Sequence, residues 1–543
     1  MTYAPLAALA SEFWEWRLDT VFRTADDIPR VDHAPDWLPQ FSPESIEARR
    51  LAHREFDARW RAMGADAASL PIPDQVDYRL LGSALGRVPW ELDTLRSWER
   101  DAVFLVGQIL GPWFDLLVQL PPFSSERQAG LVFVAQSIPG QVAVARANLS
   151  RAGVADLARV AAADLAHIGE QFSASVAGLE EQFDPEQFAA LRAAAPAAIE
   201  ALEGFREWLL ANAASMAANE PVGRERFVWF LRNVALIAEE PEELVRAAYQ
   251  DYRRAVVAEA ITANRNRDLV LQTSFGTVHD QVARQAAQEQ EVREFYERES
   301  LLSQPDTLGK YLIAPMPSYL GPLKWLGVTD DLTFDTRVDT DGVSYAPVPS
   351  ADLPYFYIAN ARDPRLGIVH EGVHYKQLAL GWRHENPIRR RYYDSVANEG
   401  IAFYNEEMML LAGLFADEPG SERVIHNFNR LRSLRVIADV GLATGTFSLD
   451  DSIRHFVELV PMDEETATGE SAMYVATPGL AMSYHVGKMQ LLRLMTDAIV
   501  AGAGSFSLRD FHDFVWKNGN VPFSLQRWEL LGDRSDVDRL DAA

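Results

Sequence analysis

The chain has 543 residues, a formal charge of −27 from 51 basic and 78 acidic side chains, and no cysteine. The charge excludes nucleic acid and anionic membranes as natural partners. The lack of thiols excludes disulfides and thiolate metal sites, so a metal would have to be held by histidine and carboxylate, a set that suits a catalytic site with one open position.

The stretch from Met1 to Ala10 has no basic leader and soon meets Glu12, Glu15 and Arg17, so it does not read as a signal peptide. No uncharged apolar run reaches the roughly 18 residues of a membrane span. Both observations predict a cytoplasmic protein. Phe13-Trp14-Glu15-Trp16 reads as core packing of a first helix. Helix starts follow at Ser42-Pro43-Glu44, at Asp184-Pro185-Glu186 (opening a run to about Ala213) and at Glu240-Pro241-Glu242. Each places a capping side chain before a proline in the first turn. Alanine-rich stretches such as 155–166 and 190–201 favour helix again.

From about Gly309 to Ala361 the texture changes to short apolar and aromatic runs broken by proline, aspartate and glycine. Strands are predicted at Tyr311–Ala314, Leu332–Phe334, Val343–Tyr345 and Pro354–Ala359. On the last of these, Tyr355 and Tyr357 alternate with Phe356, which puts both phenols on one face as candidates to line a cleft. An edge strand there would suit the binding of an extended substrate. After Arg362 the pattern is helical once more. The whole reads as mainly α, in two lobes (1–308 and 309–543), with a small sheet flooring a cleft.

His370-Glu371-Gly372-Val373-His374 carries the chemistry. Histidines four apart share a helix face and can reach one ion, while Glu371, roughly 100° round, can touch water at that ion without binding it. With 11 histidines in the chain, the pattern would arise by chance in roughly one or two of every hundred such sequences, so its surroundings must decide. A helix is predicted to run on through Tyr375–Leu380 until Gly381 and Asn386-Pro387 end it. A second helix, from about Tyr392 to Leu414, holds Asn398-Glu399-Gly400-Ile401-Ala402, with Glu406 and Glu407 as weaker sources of a ligand. Asp439 is placed either to orient a zinc histidine or to pair with Arg435. Arg389-Arg390-Arg391 reads as a solvated helix start, and His384, His426, His455 and His512 read as structural.

Asn398–Ala402 resembles the segment that completes the zinc sphere in gluzincin aminopeptidases, and the resemblance assigns Glu399 as the third ligand. More broadly, HEGVHYKQLAL, NEGIAFYNEE, Leu431–Leu442, Thr477–Lys488 and Phe511-His512-Asp513, with Glu12–Leu18 at the start, resemble the Domain of Unknown Function 885 family, regarded as gluzincin-like metallopeptidases. Met473, Leu480 and Ala443 depart from that pattern, and the first motif lacks the insertion that many members carry. The resemblance implies a metallopeptidase-like fold with Zn²⁺ on His370, His374 and Glu399 and with Glu371 as general base. It also implies an oxyanion partner, Tyr484 or His485, on a late helix that follows Pro478-Gly479. The expected activity is hydrolysis of a small peptide or amide. A non-peptide amidase or lyase, or a binding protein that keeps the fold without turnover, remains the alternative.

Overall fold

The computed structural model describes residues 3–23, 31–269, 276–350, 352–460, 462–502 and 504–542. It is mainly α, as expected, with one three-stranded sheet. The capping signals translate directly. Helices start at Pro43, Pro185 and Pro241, and Glu240 and Glu243 close a reciprocal capping box at the last of these. Phe13 and Trp14 are buried in the Ala4–Thr20 helix. Among the described residues no single helix is long and apolar enough to cross a membrane, although one sharply bent helix pair passes the same test.

The sheet is built of β1 (Tyr311–Pro315), β2 (Asp330–Asp331) and β3 (Gly342–Ala346), in the order β1-β3-β2. β1 runs parallel to β3, with Tyr311 opposite Gly342, and β2 runs antiparallel to it. Two of the four expected strands are corrected. Leu332 and Phe334 leave the ladder because their side chains are drawn into a cluster with Tyr311, Tyr375, Leu378 and Trp382, so only Asp330 and Asp331 pair. Residues Tyr355–Arg362 form a helix rather than a strand. Pro354 precedes its first turn, and the rings of Tyr355 and Phe356 pack on Phe428, a tertiary contact that outweighs their β-propensity. Nor is the edge of β1 free. Gln285, on the Val278–Arg298 helix, donates to the Tyr311 carbonyl and accepts from Ile313 N–H, and Glu289 accepts from Tyr311 N–H.

The Glu371–Trp382 helix lies between two apolar layers. Tyr375, Leu378 and Trp382 face the sheet cluster, and Val373 joins the layer of Ala397, Ile401, Leu491, Val515 and Trp516. Two further helices of that layer, Ser395–Ala412 and Leu480–Gly502, cross backbone to backbone at Gly400 and Gly487. A Cβ at Gly487 would overlap the Val396 carbonyl, and one at Gly400 would overlap the Gly487 backbone. Arg389 is also not solvated as expected. It is buried, bonded to Asp77 at 2.9 Å and to Glu529 at 2.7 Å, and ties the N-terminal helices to the C-terminal ones.

Because backbone rather than a flexible side chain stands in the way, Gly487→Ala must push the two helices apart. It is expected to destabilise by about 1–3 kcal/mol, read as a lowered urea midpoint at unchanged slope.

Candidate metal centre

His370 is the residue just before the Glu371–Trp382 helix, so the motif straddles a helix start instead of lying within a regular helix. The His374 N–H still donates to the His370 carbonyl at 3.3 Å, which keeps both rings on one side. The rings stand nearly perpendicular, with centroids 5.0 Å apart. Glu399, from the first turns of Ser395–Ala412, brings one oxygen to both: Oε2 is 3.6 Å from His370 Nε2 and 3.3 Å from His374 Nε2. That oxygen is buried and has no hydrogen-bond partner. The three residues can each offer a ligand atom within 4.8 Å of the others.

Glu406, the rival carboxylate, lies on the other side of His370. Its Oε1 is 2.7 Å from Nδ1 and 3.0 Å from Arg432 Nη2, and all three side chains are buried. Burial opposes charge on His370, but the Glu399 and Glu406 carboxylates overcome it and raise its pKa to about 9. Burial likewise opposes ionisation of Glu399, yet the two imidazoles hold its carboxyl well below the usual range.

Tyr484 stands beside these groups. Its ring is parallel to that of His370 (7° between planes, centroids 6.1 Å apart), and Arg435 and Arg432 lie over it at 4.9 and 5.6 Å. Burial first, then the Glu399 carboxylate, push its hydroxyl well above the ordinary phenol pKa, so it stays a proton donor. His485, one position on, is engaged elsewhere: its Nε2 is 2.8 Å from Asp251 Oδ2. Successive helical residues point about 100° apart, so only one of this pair can face the centre.

Tyr355 and Tyr357 do not share a face, because they lie on a helix. The Tyr355 hydroxyl donates to Asn427, in the aromatic packing with Phe428. Burial first, then the Asp330 and Glu371 carboxylates, raise the pKa of Tyr357. Tyr311 feels the same two carboxylates. Asp439 has a role beyond the two expected. It accepts from Gly479 N–H at 2.9 Å and Met482 N–H at 2.9 Å, capping the helix that carries Tyr484.

The chain matches the model of a bacterial protein of unknown function (DUF885) over residues 30–529. It belongs to this family. No curated protein matches it. Two solved structures share the fold at 15% identity. One is a candidate lipoprotein of unknown function from Shewanella oneidensis, with TM-score 0.67, covering 97% of this chain and 99% of its own. The other is a candidate lipoprotein from Colwellia psychrerythraea, with TM-score 0.72, covering 99% of each chain. Both structures are described as lipoproteins, which runs against the cytoplasmic location expected from the sequence.

Asp439→Ala removes the acceptor for two amide groups at the helix start. It is expected to cost about 0.5–2 kcal/mol in stability, measured by denaturant unfolding.

Proposed function

We propose that this chain is a zinc-dependent hydrolase of peptide or small amide bonds. The observation that carries the reading is the buried, unpartnered Oε2 of Glu399 facing the Nε2 atoms of His370 and His374. A buried carboxylate oxygen with no hydrogen-bond donor is costly unless a cation meets it, and two imidazoles with one carboxylate are a set common to catalytic zinc. The gluzincin-like motifs favour the same ion. His370, His374 and Glu399 would hold it. Bound there, Zn²⁺ would supply Lewis-acid chemistry, lowering the pKa of a water toward about 7 and polarising a carbonyl.

The remaining steps belong to the side chains. Glu371 takes the proton of the attacking water and returns it to the leaving amine. Tyr484 donates its hydroxyl to the carbonyl oxygen as negative charge develops there. His485, held by Asp251, drops out of the catalytic set and supports the helix. The lipoprotein descriptions of the similar structures favour an envelope setting for this activity.

Metal analysis of protein purified without chelator is expected to find about one zinc per chain, lost in His374→Ala. Protein that carries no zinc and takes none up would refute the reading. Glu371→Gln should keep zinc and fold yet lower cleavage of a mixed-peptide digest by at least ~10²; an undiminished rate would remove Glu371 as base. For Tyr484→Phe the expected loss in turnover is ~10²–10³ with zinc content unchanged. A variant that instead lost only about 0.5–1.5 kcal/mol of stability would mark Tyr484 as a packing residue.

A further inference from the structure

The hydrolysis outlined above gives no task to Glu406. It lies seven residues beyond Glu399, on the same face of the Ser395–Ala412 helix, and the two carboxylates meet His370 at opposite nitrogens. The Glu406 oxygen 2.7 Å from Nδ1 makes a close ion-pair contact rather than an aligned hydrogen bond, and beside a carboxylate, which can only accept, the neutral ring keeps its hydrogen on that atom. The lone pair is then on Nε2, the nitrogen that faces Glu399. Glu406 is itself buried, a costly state for an unpaired charge. Arg432 supplies the pairing, with Nη2 3.0 Å from the same Oε1.

Arg432 does more than neutralise. It comes from the Pro419–Thr444 helix, and its Nε and Nη1 are buried with no hydrogen-bond partner. The guanidinium rests instead against aromatic rings, 4.7 Å from Phe428, 5.3 Å from Phe403 and 5.6 Å from Tyr484. One cation therefore touches both the support of His370 and the ring of Tyr484.

We propose that Glu406 and Arg432 are positioning residues of the metal centre: Glu406 fixes the His370 ring with Nε2 as its ligand atom, and Arg432 holds Glu406 and the Tyr484 ring in register. This rests on the proposed metal site. Groups that orient a metal histidine in this way typically contribute 10–100-fold to metal affinity.

The test compares zinc dissociation constants, by competition with a chromogenic chelator, in the full-length protein and in three variants: Glu406→Gln, Arg432→Met and the two combined. Thermal unfolding is followed in parallel. Each single variant leaves one partner unmatched and should lose stability, whereas the double variant leaves no lone charge and should recover it. Zinc affinity should stay about 10–100-fold weaker in the folded double variant, with an altered d–d spectrum after loading with Co²⁺. A purely structural pair gives the opposite result: wild-type zinc affinity and Co²⁺ spectrum in the double variant, which would overturn the proposal alone. Wild-type protein that binds neither metal would overturn the metal centre as well. Should a single variant fail to fold, the double variant decides.

Discussion

The contact of Gly400 with Gly487 sets the spacing on which the rest of the centre depends. Glu399 precedes one glycine and Tyr484 lies three residues before the other, so a single helix crossing fixes the carboxylate and the phenol relative to each other. No side chain separates the two backbones there. Close-packed interiors transmit displacements instead of absorbing them, and a shift at this crossing moves both groups at once. The Glu371–Trp382 helix is held independently, by the sheet cluster on one side and the helical layer on the other. The site forms where these two assemblies meet.

Much of this was legible from residue types and spacing. The histidine pair, Glu371 and the helix starts at Pro43, Pro185 and Pro241 follow from local chemistry, which the fold preserves. Glu399 came from resemblance, and its side chain does converge on the histidines. The helix at Tyr355–Arg362 was not legible, since aromatic alternation favours a strand unless Phe428 is known to pack on it from more than sixty residues away. Glu406 left a faint signal in its seven-residue offset from Glu399. Arg432, Arg435 and Asp439 also share a face, at spacings of three and four, but which neighbour that face meets is a tertiary fact.

Charge placement follows a consistent plan around the centre. Three carboxylates, Glu371, Glu399 and Glu406, gather at the histidines, while Arg432 and Arg435 stand behind Tyr484. Arg435 is in turn paired with Glu470, which also accepts from the Tyr474 hydroxyl. The cations are thus committed to neighbours, and the surplus negative charge is left on the side where the imidazoles converge. This local excess is built from individually placed groups, Glu406 buried and Glu371 and Glu399 partly so.

The amide of Gln285 has a consequence for the molecule as a whole. Exposed strand edges are templates for joining another strand, and proteins usually blunt them with charge, proline or a covering segment. Here one carboxamide imitates the next strand, offering a donor and an acceptor to the backbone of β1 at the spacing a neighbouring chain would use. A small sheet with a parallel pair would otherwise be an adhesive rim. With Gln285 and Glu289 in place, the Tyr311 amide and carbonyl and the Ile313 amide are already bonded, which guards that side against edge-to-edge association.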